Sequence, residues 1–305
     1  MTSAATSLLC LALPGLVVLV VLALAVRPAA AAIPPDPSPR LLGMAGALRG
    51  AASGDAALAV NPSGMSLVKN YSIEAGYLND HAAGATAHNA HASIVDSTSA
   101  FNLAGGIYYT YLTGQLPGGG ERSGHEGGVS VSFPFFERLL FGWTTKYLRL
   151  RTSGDTPSAG LVSGFSFDAG LTIKPISALG IGLAFTNIND LGTDRAPRTL
   201  AGGLSFSGID DLLLTADAVL DFTSTNPDLG NVWHLMGGAE YLIAGRLALR
   251  GGGGRRGDTR AGYVAGGISL VSEVAALDLG LQQDLGGLRK VTLFAISARL
   301  FIPAP

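Results

Sequence analysis

Few side chains in this sequence are suited to acid–base or metal chemistry. The 305 residues include five histidines and one cysteine. Four of the histidines are His81, His88, His91 and His125. His88 and His91 are three positions apart, which on a β-strand puts them on opposite faces, so they predict neither a shared metal ion nor a catalytic dyad. The single Cys10 excludes a disulfide framework and a cysteine-ligated zinc site. We therefore predict no enzyme, no metal site and no cofactor.

Phosphate and nucleic-acid binding are also disfavoured. A glycine run, Gly251 to Gly254, precedes Arg255 and Arg256, but it lacks the Lys-Ser/Thr pair and the helix that follow in a P-loop. Glycines in a strand more often mark the close approach of another backbone. The chain carries 20 basic and 22 acidic residues, for a formal net charge of −2, and has no basic cluster. We predict no nucleic-acid partner.

Beyond residue 70 the hydrophobic pattern has a period of two. In GFSFDAGLTIK, residues 164–174, Phe165, Phe167 and Leu171 share one face, and polar or small residues such as Asp168 occupy the other. Such alternation predicts a strand with one apolar and one polar face. We predict strands at residues 71–79, 86–96, 103–112, 127–134, 139–151, 162–174, 178–188, 197–207, 211–223, 232–243, 245–255, 261–271, 274–284 and 290–301.

Many such segments, even in number and separated by turn residues, are typical of an outer-membrane barrel. From the third segment on, the links after odd-numbered segments, such as residues 113–126, are longer than those after even-numbered ones, as expected of extracellular loops and periplasmic turns. A soluble sandwich is the alternative, but with 14% charged residues little is left to cover a soluble exterior. The sequence predicts an all-β, transmembrane, antiparallel barrel of about fourteen strands, or alternatively twelve, in the cell outer membrane with both termini periplasmic.

The chain divides into three parts. Residues 1–32 contain a long apolar run followed by Ala30-Ala31-Ala32, which favours a secretory signal peptide cleaved before Ile33 over a membrane anchor. Residues 33–70 form an N-terminal segment that is rich in proline, then glycine and alanine. Residues 71–302 form the predicted barrel.

The polar faces of the strands are predicted to line the lumen, where they form either a ligand or ion path or a self-satisfied set of salt bridges. The charged or titratable residues on these faces are Lys146, Asp168, Asp217, Asp221, His234, Glu240, Arg250, Asp278, Asp284 and Arg299. Lys146 and Asp168 lie on adjacent strands and are expected to pair. Small inward residues such as Gly180, Gly182 and Gly203 leave room inside or let another backbone approach.

The segment before the first strand resembles the N-terminal hatch of the FadL-type long-chain fatty-acid transporters and their relatives. The residues that carry the resemblance are Gly50, Ala51, Asp55, Ala56, Ala57, Asn61, Pro62, Ser63 and Gly64, the last four forming an Asn-Pro turn. A second match, to the PorV-like branch of the superfamily, involves Asp168, Gly170, Pro175, Gly180 and Asn187.

The resemblance implies a fourteen-stranded barrel with residues 33–70 as a plug in its lumen. It further implies passive transport of small hydrophobic or amphipathic molecules. The PorV-like match gives the alternative: a non-transporting barrel that escorts or anchors a secreted surface protein. The expected partners are outer-membrane lipid and, for the two alternatives, a hydrophobic ligand or a secreted protein. The chain departs from the family in its short loops and in the residues that follow Phe301.

Overall fold

The computed structural model of the protein describes residues 38–82, 85–98, 103–116, 119–136, 138–154, 160–193, 196–226, 230–286 and 290–302. The predicted signal peptide and its cleavage point before Ile33 lie outside the described residues. Within those ranges, none of the helices has the length and apolar character needed to cross a membrane.

Fourteen strands close into one antiparallel barrel in which each strand pairs with its neighbours in the chain and the first pairs with the last. The strands are β1 (Tyr71–Ala82), β2 (Ala85–Asp96), β3 (Ala104–Gln115), β4 (Glu121–Phe136), β5 (Leu139–Ser153), β6 (Gly160–Ile176), β7 (Leu179–Thr186), β8 (Thr199–Ile209), β9 (Leu212–Asn226), β10 (Gly230–Ile243), β11 (Leu247–Arg255), β12 (Gly262–Val271), β13 (Ala275–Asp284) and β14 (Val291–Ile302). The predicted fold class and the count of fourteen are confirmed.

The two ends of the barrel differ in their connections. At the end that we call the turn end, β4, β6 and β8 are each joined to the next strand by two residues. The opposite end, the loop end, carries the connections after β3, β5, β7, β9, β11 and β13, of which the longest is residues 187–198. Most of the predicted link at 113–126 is strand, because Thr113 pairs with Ser123 and Gln115 with Glu121. The strand prediction stopped early there because both faces turn polar.

Side chains alternate between the lumen and the outside, as the strand pattern predicts. On β6, Phe165 is 58% exposed and Ser166 and Asp168 are buried. On β10, Trp233 near the loop end and Tyr241 near the turn end both point outward and are exposed. The outer wall therefore carries large apolar side chains in contact with the surroundings. Soluble monomers rarely expose such a continuous apolar surface, whereas a membrane barrel needs one to face lipid.

The segment before β1 lies inside the barrel. It contains two short helices, α1 (Pro39–Gly43) and α2 (Asp55–Val60), followed by a 3₁₀ helix (Pro62–Leu67). Proline is compatible with the first turn of a helix because its missing N–H has no partner there in any case, and both α1 and the 3₁₀ helix begin with one. We call residues 38–70, the described part of the predicted segment, the hatch.

The lipid-facing wall can be tested by placing a charge at two depths. Leu204 is central on β8 and 53% exposed, and Leu161 is the second residue of β6, at the loop end, and 56% exposed. We expect Leu204→Arg to lower the free energy of unfolding in phospholipid vesicles by about 2–4 kcal/mol and Leu161→Arg by about 1 kcal/mol or less, since the cost depends on depth. Equal losses in urea titrations would show that this wall does not face a bilayer.

Candidate functional site

The Asn-Pro turn of the hatch is bonded to the inner wall. The amide nitrogen of Asn61 donates to the backbone oxygen of Arg49 at 2.8 Å and to Oγ1 of Thr172 on β6 at 3.1 Å. Its Oδ1 accepts from the hydroxyl of Ser63 at 2.7 Å. Ser63 in turn accepts, through its backbone oxygen, a hydrogen bond from Ser132 on β4 at 2.8 Å. The turn thus joins two parts of the hatch to two strands.

Close packing around the turn explains its glycine and proline. A Cβ on Gly64 would lie 2.1 Å from the backbone oxygen of Ala52, so only glycine fits. Pro62 packs over the inner face of Gly142, whose Cβ position is 2.3 Å from the carbonyl carbon of the proline. Ala57 is fully buried in the hatch's own apolar cluster, and Gly50 accepts a hydrogen bond from Ser205 on β8 at 2.9 Å.

The inner wall approaches the hatch through glycines. On β7, a Cβ on Gly182 would lie 2.0 Å from the backbone oxygen of Arg49, and one on Gly180 would lie 2.3 Å from that of Gly50. Nine strands each turn at least one such glycine towards the hatch, represented by Gly106, Gly142, Gly170, Gly182, Gly203, Gly238, Gly252, Gly267 and Gly280. Gly106 and Gly203 meet side chains of the hatch, and the glycines of the other seven strands lie directly against its backbone.

Two ion pairs and one histidine–carboxylate contact anchor the hatch. Arg40 binds Glu240 on β10 through two nitrogens, at 2.9 and 3.0 Å. The second anchor is Asp217 on β9, whose Oδ2 accepts from the backbone N–H groups of Leu48 and Arg49 and from the Arg49 guanidinium, each at 3.0 Å. The anchors are spaced along the hatch, so the whole segment is held.

The third anchor joins Asp55 at the start of α2 to the wall. Its Oδ1 lies 2.8 Å from Nε2 of His91 on β2, and Nδ1 of the same ring is 2.9 Å from the hydroxyl of Thr110. Burial opposes the ionised form of Asp55, but the pairing with His91 outweighs it and keeps the pKa of the carboxyl below its usual value. The carboxylate is therefore the form that the hatch presents to the wall at neutral pH.

Four of the predicted lumen residues belong to one charge network. Arg250 pairs with Glu240 and lies 3.3 Å from Asp278, and Asp278 accepts from Arg299 at 2.9 Å. Arg299 also lies 3.7 Å from Glu74 on β1, a residue that the sequence analysis did not single out. The network runs along the wall beside α1 and is joined to it through Arg40.

The other predicted lumen residues are separate from this network. Lys146 and Asp168 pair at 2.8 Å, and Asp168 also accepts from the backbone N–H of Asn187 at 2.7 Å. Asp217 is the hatch anchor. The remaining three lie nearer the loop end: Asp221 caps the N–H of Thr223, Asp284 pairs with Arg256 at 3.0 Å, and Nδ1 of His234 is 4.0 Å from Asp258. The ten residues therefore do not form a single site.

The sequence analysis missed an apolar lining on the lumen side. Leu112, Leu148 and Leu150 point inward and form a buried cluster with Ala87 and with Ala196 of the β7–β8 connection. A second buried cluster combines residues of β1, β2 and β14 with one residue of the hatch: Leu78, Ala82, Ala85, Val291, Leu293, Ala295 and Leu42. The alternation of faces along β5 could have predicted this lining. Trp143 and Tyr147 point outward, so Leu148 and Leu150 must point inward, even though the outward positions beside them carry arginines.

One buried acidic residue was also missed. Asp80 on β1 is fully buried, and neither of its carboxylate oxygens has a hydrogen-bond partner among the described residues. The predicted first strand ended at residue 79, so this position was not assigned to a face. The strand continues to Ala82.

The four histidines that the sequence analysis considered do not come together. His91 points into the lumen, whereas His88 and His125 point outward and contact Tyr77 and Tyr109 through their Nδ1 atoms. His81 is exposed on the outer face of β1. Across the described residues, no three His, Cys, Asp or Glu side chains are grouped as a metal site would require.

Adding one methyl group to an inward glycine should displace the hatch only where that glycine touches it. Gly182→Ala should push residues near Arg49 off the wall and expose the Arg49 peptide bond to trypsin, because the new Cβ has no room beside a backbone oxygen. Gly251→Ala is the matched control, since a Cβ there meets nothing within 4 Å. Mass spectrometry of short digests of the folded barrel measures the cut, and equal cleavage of the two variants would contradict the contact.

The sequence matches no family model and no curated protein. The fold, in contrast, has solved relatives. A FadL homologue from Pseudomonas aeruginosa matches with a TM-score of 0.67 at 13% identity, over 88% of this chain and 99% of the homologue. The toluene transporter TbuX from Ralstonia pickettii matches with a TM-score of 0.65 at 14% identity, over 87% of this chain and 98% of its own. The CymD monoaromatic hydrocarbon channel matches with a TM-score of 0.65 at 14% identity, over 87% of this chain and 97% of its own.

At these identities the likeness establishes architecture. A closed barrel of fourteen antiparallel strands is shared across almost the whole length of these structures, and the PorV-like branch is not among the three. The chain has the fold of the FadL-type outer-membrane barrels, with its own N-terminal segment seated in the lumen.

Proposed function

We propose that this protein is an outer-membrane barrel for the passive passage of small hydrophobic molecules, with the loop end outside and both termini in the periplasm. Two of the structures with this fold are described as a toluene transporter and a monoaromatic hydrocarbon channel. Their substrates suggest the probe for this chain. The apolar outer wall and the shorter connections at the turn end support the location and the orientation.

The observation that carries the proposal is the apolar lining of the lumen. Inward faces of membrane barrels are ordinarily polar, yet here inward leucines lie on β1, β3, β5 and β14. The cluster containing Leu148 and Leu150 includes the β7–β8 connection at the loop end, and the cluster containing Leu78 and Leu293 includes Leu42 of the hatch. A hydrocarbon that enters at the loop end thus finds one apolar cluster there and a second beside the hatch, with the inward Asp80 between Ala87 of the first and Leu293 of the second.

The hatch then controls the remaining path to the periplasm. Its position against the wall leaves it in contact with β4, β5 and β6 through the 3₁₀ helix and with β11 to β14 through α1. A molecule that reaches Leu42 can go further only if the hatch shifts. Weakening an anchor of the hatch should therefore raise permeability, whereas weakening a pair within the wall should not.

The alternative function, an escort for a secreted protein, has no observation in its favour among the described residues. The residues that match the PorV-like branch have local contacts: Asp168 binds the N–H of Asn187, and Gly170 and Gly180 lie against Asn61 and Gly50 of the hatch. These contacts account for the residue types without a partner. The secreted partner stays a prediction from the sequence.

Uptake of labelled toluene by outer-membrane-bearing cells that produce the protein tests the proposal. We expect uptake above that of cells without it, and a several-fold reduction by Leu148→Gln, because an amide in the apolar lining must be desolvated or leave a polar group unpaired. Leu161→Gln on the outer wall is the control and should leave uptake unchanged. Circular dichroism confirms that each variant is folded. Equal uptake with and without the wild-type protein would overturn the proposal.

Release of the hatch can be measured as leakage. Asp217→Ala removes the acceptor for Leu48, Arg49 and the Arg49 side chain, so we expect faster entry of a small sugar into liposomes carrying the variant. Breaking a buried pair costs roughly 3–5 kcal/mol, which is enough to shift the position of one segment. Lys146→Met breaks a pair within the wall and is the matched control. Equal leakage through both variants would mean that the hatch does not limit passage.

A further inference from the structure

The outer wall is polar in one sector of the loop end. On β2 to β5 the outward positions there carry His88, Thr113, His125, Arg149 and Arg151. Other strands keep large apolar side chains at this end, as Phe222 on β9 and Trp233 on β10 show by their exposure. The strands of the polar sector rise above the apolar surface and still remain paired, as the ladder between β4 and β5 up to Glu121 and Ser153 shows.

The basic residues of this sector are adjacent and available. His125 is the register partner of Arg149, and Ser123 is that of Arg151. Both arginines are exposed. No ion pair joins either of them to a carboxylate within the described residues, although ten other pairs of the barrel and hatch do involve basic side chains. Their charge therefore faces outward.

Their height along the wall matches the headgroup region of a membrane. Tyr147 precedes Arg149 by two residues on the same face of β5, about 7 Å along the strand. Tyr147, Tyr109 and Tyr111 are exposed, and a belt of outward tyrosines marks the interface between hydrocarbon and headgroups. Basic side chains just beyond such a belt meet the phosphates of lipids.

A polar cleft of about 570 Å³ opens beside the arginines. Its lining includes hydroxyl, amide and basic side chains: Thr86, His88, Thr113, Gln115, Ser123 and Arg151. Glu121 is the one carboxylate of the lining. Hydroxyl and amide groups suit the hydrogen-bonding pattern of a sugar, and a guanidinium suits a phosphate because it can offer two parallel N–H donors.

We propose that this sector binds the headgroup of a phosphorylated glycolipid of the outer leaflet. The sugar lies in the cleft, and the phosphate lies against Arg149 and Arg151. The charge of the arginines, the height of the tyrosines and the polar cleft all support this occupant. The inference rests on the proposed outer-membrane location and orientation and does not depend on hydrocarbon transport.

Native mass spectrometry of the full-length protein in detergent, titrated with diphosphorylated lipid A, tests the site. We expect Arg149→Gln with Arg151→Gln to raise the apparent Kd at least tenfold, since each basic side chain at an anionic lipid surface contributes to binding. Glu121→Gln should tighten binding by removing the one negative charge of the cleft. Arg255→Gln with Arg260→Gln, also exposed near the loop end, is the matched control and should bind as the wild type does.

Binding of different lipids distinguishes a specific site from general attraction between opposite charges. The dephosphorylated glycolipid should bind weakly, and phosphatidylglycerol, which has a phosphate but no sugar, should bind at least several-fold more weakly than lipid A. Equal affinity for phosphatidylglycerol, or equal losses in the control and the Arg149/Arg151 variant, would overturn the proposal. Toluene uptake is measured on the same variants. If the wild-type protein binds lipid A but does not increase toluene uptake, the transport proposal is wrong and the lipid site stands.

Discussion

The position of the hatch depends on the distance between its backbone and the inner wall. At several strands this distance is too short for a side chain: the Cβ position of Gly142 is 2.1 Å from the nitrogen of Ser63, and that of Gly280 is 2.7 Å from the oxygen of Pro39. A register slip of one residue would exchange inward and outward side chains, and would bring large lipid-facing side chains against the hatch. The inward glycines therefore determine both which residues of each strand face the lumen and where the hatch lies.

Buried charge adds a second constraint on the same segment. The wall network contains three carboxylates and two guanidiniums, from Glu74, Glu240, Asp278, Arg250 and Arg299. Arg40 of the hatch adds a third guanidinium. Burial opposes its charge, but Glu240, with Asp278 and Glu74, raises the pKa of the guanidinium above its usual value. Buried ion pairs are weak evidence for stability, but leaving one partner alone is costly. Moving α1 out of its place would remove one of the two guanidinium partners of Glu240.

Strand number, strand phase and the presence of a hatch motif could be predicted from the sequence, because each leaves a local pattern. Alternation placed Asp168 and Asp217 on inward faces, and the Asn61-Pro62 turn indicated a segment before the barrel. The partners of these residues could not be predicted. Asp217 meets Arg49 across 168 positions, and such a contact depends on where the closed wall places the hatch.

The strand ends at residues 113–126 and the inward leucines were missed for a different reason. Side-chain polarity indicates the face of a strand only where one face is apolar and the other polar, and this does not hold in these two regions. At the loop end the outward residues of β3 and β4 become polar, so the two strands lose their alternation at residues 113–126 while their pairing continues. In the lumen the reverse occurs, since Leu112 and Leu150 point inward and are buried by one another and by Ala196. A hydrocarbon that displaced these contacts would meet surfaces of the same kind, so its entry would exchange one set of apolar contacts for another. Because these inward side chains are apolar, the polarity pattern did not identify them as lumen-facing. The same apolar character suits them to a ligand without hydrogen-bonding groups.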